Sequence, residues 1–186
     1  MNPFKILYLV VLSIFLSFPA MAKENIGGLD VFITQAGKAI APSKLKNNHI
    51  RITLSKKPFD FHYSAKEIGM CVSLNPVVFD MAKTGTNTTT NFASCMFMYK
   101  AFGLSGEGGD LVADKGGGNW LNKTHGAKKG KDGRNFYRVE NLTGKETGDL
   151  TLTKAIKPMY LAIWVDKDSN KIIDKGELAR LELTFK

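Results

Sequence analysis

Short period-two runs, cut apart by Gly, Asn, Asp and Pro, set the fold class of this 186-residue chain. Within residues 49–54, Ile50, Ile52 and Leu54 share one side of an extended strand. Within residues 59–63, Phe59, Phe61 and Tyr63 do the same. At the end of the chain, Leu181, Leu183 and Phe185 alternate with Arg180, Glu182 and Thr184. Successive side chains on a strand point to opposite sides, so this alternation marks segments with one face in a core. Residues 135–139 and 150–156 read as two more strands, and 95–102 is a compact apolar run. Residues 160–165 are continuously apolar and fit a buried strand. Residues 64–70 and 76–83 each read as a helical turn or a short helix. The expectation is an all-β or mainly β chain. It takes the form of an antiparallel β-sandwich with long Gly-rich loops and one or two short helices.

The Gly-rich part is localised. Ten of the 18 glycines fall between residues 103 and 133. No Gly-x-x-x-x-Gly-Lys-Ser/Thr pattern occurs there, and no Gly-x-Gly-x-x-Gly leads from a strand into a helix, so a phosphate cradle is not indicated. Long loops between strands are the reading, with Trp120 and His125 the residues most worth testing as ligand contacts. The basic cluster Lys128, Lys129, Lys131 and Arg134 lies between glycines and lacks interleaved aromatics, which fits a solvated loop better than a nucleic-acid surface.

The start of the chain reads as a targeting segment. A basic opening, Met1 to Lys5, precedes an apolar run from Ile6 to Phe18, and Ala20 and Ala22 supply the small residues of a cleavage site. Residues 1–22 are therefore expected to be a cleaved signal peptide, and residues 23–186 a single β-rich exported domain, periplasmic or secreted. The apolar run is too short to span a bilayer, which needs about 20 residues. The net charge of +9, of which Lys5 contributes one, favours anionic partners such as an anionic surface or an acidic protein. In an exported chain the two cysteines, Cys71 and Cys95, are expected to form a disulfide, with a stabilisation of roughly 3.5 kcal/mol in the chain-entropy model. The competing reading is a periplasmic copper-binding protein. It would use Met70, Cys71, Cys95, Met96 and Met98 as soft ligands, with the widely separated His49, His62 and His125 adding nothing at ligand spacing.

One motif carries chemistry. Residues 166–177 place Asp166, Asp168, Asn170, Asp174 and Glu177 at positions 1, 3, 5, 9 and 12 of a twelve-residue loop, with the backbone carbonyl of Ile172 at position 7. Hard cations take six to eight oxygen ligands at about 2.3–2.6 Å, and this spacing wraps them around one ion. The segment resembles the EF-hand calcium loop, over these residues alone. That resemblance implies calcium as the ligand and Ile173 as the apolar position 8. Two features depart from it. Lys171 stands where the family has a glycine to allow positive φ. The flanking residues look like strands rather than paired helices. With one such loop, a structural clip is the expected role rather than a regulated sensor.

Enzyme chemistry has little support. There is no Gly-x-Ser-x-Gly elbow and no His-Glu-x-x-His helix. A small exported hydrolase would have to draw on carboxylates such as Glu107, Asp110 and Asp114. The sequence leans towards a non-enzymatic calcium-binding protein with a binding or structural role.

Overall fold

Alternation along the strands becomes two-sidedness in the sheets. The computed structural model describes residues 25–45, 49–66, 68–73, 76–88, 102–106, 109–110, 119–121, 127–144, 148–155 and 157–186. A five-stranded sheet runs in the order β10 (Lys128–Lys129), β11 (Asn135–Val139), β5 (Phe59–Tyr63), β1 (Val31–Gln35) and β2 (Lys38–Ala39). A six-stranded sheet runs β3 (Ser43–Lys44), β4 (Ile50–Leu54), β15 (Leu178–Phe185), β14 (Met159–Trp164), β6 (Ile68–Ser73) and β9 (Asn119–Leu121). A smaller four-stranded sheet holds β13 (Gly148–Thr151), β12 (Asn141–Gly144), β7 (Phe102–Gly106) and β8 (Gly109–Asp110). The chain is mainly β, as the alternation predicts. Among the described ladders, β4 with β15 is the parallel one, Ile50 lying opposite Leu181 and Leu54 opposite Phe185.

The two larger sheets share one core. Val31, Ile33, Phe59, Phe61, Tyr63, Tyr137 and Val139 face in from the five-stranded sheet. Ile50, Ile52, Leu54, Ile68, Met70, Leu161, Ile163, Leu181 and Leu183 meet them from the six-stranded sheet. Phe59 and Phe185 touch across the sandwich, with ring centroids 6.4 Å apart. Burial of this apolar surface is the main stabilising term. β14 is buried on both sides, so its other face needs a cover. A second cluster supplies one: Cys71, Ala162 and Trp164 from the sheet meet Val78, Phe79 and Ala82 of the helix segment, together with Ile173. Helix α1 (Val78–Met81) is held there by Arg180, whose guanidinium donates to the Phe79 carbonyl at 2.9 Å.

Three expectations change. The Gly-rich section 103–133, read as long loops, carries most of β7 and all of β8, β9 and β10, each paired into a sheet. Residues 64–70 do not form a helical turn: Ile68–Ser73 is strand β6, antiparallel to β14. The reason lies across the ladder. Gly69 sits opposite Trp164, and a Cβ on it would lie 2.0 Å from the indole, so the ring packs flat on bare backbone. The strand expected over 150–156 stops at Thr151, and Leu152–Lys154 is a 3-10 turn. Leu152 and Ala155 both enter the main core. Side chains three apart share a side in a 3-10 turn and oppose each other in a strand. Of the apolar run 95–102, Phe102 opens β7 and the rest lies outside the described residues. The signal segment 1–22 also lies outside them. No helix among the described residues is long and apolar enough to cross a membrane.

Candidate metal centre

β14 ends at Trp164 and β15 begins at Leu178, and the two are antiparallel neighbours. The acidic loop is therefore the connection of a β-hairpin, flanked by strands as its sequence suggests. The Val165 amide closes the neck by donating to the Glu177 carbonyl at 3.0 Å. Inside the neck the chain turns sharply three times through left-handed φ, at Ser169 (62°), Lys171 (64°) and Gly176 (88°). Lys171 thus takes up the positive φ that the EF-hand loop assigns to glycine. Left-handed backbone costs an L-residue roughly 1–2 kcal/mol. Hydrogen bonds hold it there. The Lys171 amide donates to Asp166 Oδ2 at 3.0 Å, and its carbonyl accepts from the Thr88 amide at 2.8 Å.

The turns bring the carboxylates together. Asp166, Asp168 and Glu177 each present an oxygen, and these oxygens lie within 4.8 Å of one another. Oxygens bound to one Ca²⁺ at about 2.4 Å are separated by no more than about 4.8 Å, so the spacing fits a shared ion. Glu177 is only 4 % exposed. Its Oε1 accepts from the Lys167 amide at 2.7 Å and its Oε2 from the Asp174 amide at 3.0 Å. Each carboxylate oxygen has a second lone-pair site, so these bonds leave capacity for a cation. Asp166 Oδ1 is buried and has no hydrogen-bond partner. A buried acceptor without a donor is costly, and a cation is one way to satisfy it.

The remaining sequence-predicted ligands are linked to the cluster less directly. Asn170 Nδ2 donates to Asp168 Oδ2 at 2.9 Å and to Asp174 Oδ2 at 2.8 Å, while its Oδ1 accepts from the Ile172 amide at 2.7 Å. An amide group thus bridges two carboxylates. To serve as a ligand Asn170 must rotate its oxygen towards them. Ile172 is 37 % exposed and forms an antiparallel bridge with Asn87. The donor set is all oxygen, which suits hard Ca²⁺ rather than thiophilic metals.

Sequence reading missed what braces the loop. Ile173 donates its amide to the Thr86 carbonyl at 2.9 Å and accepts from the Gly85 amide at 2.8 Å. Residues 85–88, just after α1, thus run as a short antiparallel partner to the acidic loop. Ile173 itself is 1 % exposed and plugs the second cluster beside Trp164. Nothing in Thr86-Asn87-Thr88 signals this pairing, because it depends on where α1 is docked.

Other candidates are dispersed. Met70 points into the main core and Cys71 into the second cluster, on opposite sides of β6, so they do not converge on one ion. Cys95, Met96 and Met98 lie outside the described residues, as do His125, Glu107 and Asp114. Trp120 belongs to β9, opposite Gly69, and Asp110 ends β8. His49 packs against Phe79, with centroids 4.5 Å apart, and His62 stacks on Phe32 at 4.7 Å. Of the basic cluster, Lys128 and Lys129 form edge strand β10, while Arg134 pairs with Asp30 at 2.6 Å. No family model, no curated protein and no solved structure matches the chain.

Proposed function

We propose that this is an exported, non-enzymatic β-sandwich protein with a binding or structural role, in which Ca²⁺ clips the hairpin between β14 and β15. The observation that carries the reading is the loop's geometry: carboxylate oxygens of Asp166, Asp168 and Glu177 within 4.8 Å of one another, with Asp166 Oδ1 buried without a donor. Asp166, Asp168 and Glu177 would hold the ion, Asp174 would act directly or through water, and Asn170 and the Ile172 carbonyl would complete the shell. The loop's seven charged side chains include three lysines, Lys167, Lys171 and Lys175. They lower the affinity for a divalent ion, which suits millimolar extracellular calcium rather than cytosolic signalling.

Export rests on residues 1–22, and a Cys71–Cys95 disulfide belongs to the same reading, with Cys71 buried on β6. Non-reducing mass spectrometry of exported protein should find no free thiol. Calorimetric titration of the chelator-treated chain tests the clip. We expect one Ca²⁺ per chain, Mg²⁺ weaker, and no binding by Asp166→Asn/Asp168→Asn. Equal heats from the parent and this double variant would remove the proposed site.

A further inference from the structure

A cavity of 610 Å³ opens where β15 begins, one residue beyond Glu177. Its size falls in the range of small-molecule sites, about 300–1,000 Å³. One wall is the 3-10 turn Ile26–Gly28, in which Gly27 and Gly28 both take left-handed φ, 58° and 82°. Gly27 is pressed onto β15: a Cβ there would lie 2.7 Å from Ala179 Cβ. A Cβ on Gly28 would meet nothing within 4 Å, so that side of the turn is open space. The turn therefore forms a fixed wall with room in front of it.

The chemistry of the lining is one-sided. Leu45, Leu178 and Ala179 supply an apolar surface, while Lys44, His49 and Asn25 supply polar groups. Among the described residues, no Asp or Glu lines the cavity. His49 is fixed by its contact with Phe79, and the Leu45 amide donates to the His49 carbonyl at 2.8 Å, which ties the β3 side to the β4 side. An ammonium and an imidazole beside an apolar wall, with no carboxylate among the described lining residues, complement a negative head on an apolar body.

We propose that this cavity binds a small amphipathic anion, a carboxylate on an aliphatic body. Lys44 and His49 meet the carboxylate, and Leu45 and Leu178 meet the body. The site is separate from the acidic loop and does not rest on calcium binding.

The test is an NMR titration of the exported chain in metal-free buffer, following the Gly27, Gly28 and Ala179 amides. Octanoate is the probe, octylammonium carries the same body with the opposite charge, and inorganic phosphate is an anion without a body. Octanoate should shift these amides saturably. Octylammonium and phosphate should leave them in place. Lys44 is exposed on a two-residue edge strand, so Lys44→Met should fold normally and weaken octanoate roughly tenfold, the worth of one charge-assisted hydrogen bond. Leu45→Trp should fill the cavity and abolish the shifts. The proposal is overturned by any of three results: no saturable shift with octanoate, equal shifts with either control probe, or unchanged octanoate affinity in Lys44→Met.

Discussion

Glu177 joins its loop by two backbone bonds before any ion is considered. On spacing alone, Glu177→Gln looks like a change that weakens calcium and leaves the metal-free protein nearly untouched. The geometry says otherwise. Both carboxylate oxygens accept amide hydrogens in a site that is 4 % exposed. A glutamine offers one oxygen and turns an NH₂ group against the other amide. Urea denaturation in chelator should therefore show Glu177→Gln destabilised by about 1–3 kcal/mol, the cost of an unsatisfied buried donor. Unchanged metal-free stability would mean the two bonds do not hold in solution. Lys171 should behave in the opposite sense. Its φ of 64° suits glycine, and its side chain adds positive charge beside the carboxylates. Lys171→Gly should stabilise the chelated protein by about 1 kcal/mol and tighten calcium as well. A loss of stability on this substitution would show that the lysine side chain has a role beyond filling a turn.

At the level of elements, the hairpin, residues 85–88 and α1 form one unit. Ile173 links them: its backbone pairs with Thr86 and Gly85, and its side chain fills the cluster around Trp164. Ile173→Ala should cost about 3 kcal/mol and change Trp164 fluorescence, and it should weaken calcium although Ile173 contributes no ligand atom. Normal calcium affinity in this variant would separate the brace from the ion site. These elements also show what was legible beforehand. Residues 50–54, 59–63 and 135–139 carried their alternation openly, because each has one core face. The convergence of Asp166, Asp168 and Glu177 was legible because their spacing is local. The strand at 68–73 was not, since Gly69 makes sense only once Trp164 lies over it. The turn at Leu152–Lys154 was hidden in the same way, because only burial of both Leu152 and Ala155 shows its phase. The brace at 85–88 has no local signature at all.

The placement of β15 in the whole molecule decides how far a clip on its first turn can reach. β15 lies between β4 and β14 in the six-stranded sheet, and Ala179, Leu181 and Leu183 belong to the main core. A loop that frayed alone would let calcium protect only a few amides, with no effect on global melting. Here Glu177 adjoins Leu178 and Ala179, so opening the neck begins to pull a central strand from the sandwich. Calcium bound only to the folded chain should then act on global stability. At a hundred times Kd the gain is about 2.7 kcal/mol, which for a chain of this length raises Tm by about 5–10 °C. Thermal melting of the protein, in saturating millimolar calcium and in chelator, measures this directly. Glu177→Gln should lose most of the calcium-dependent increment while starting from a lower Tm in chelator. If calcium binds by calorimetry yet Tm is the same in both buffers, the hairpin opens independently of the sandwich and the ion is a local ligand rather than a clip. If neither method responds, the loop is an acidic turn held by its own hydrogen bonds.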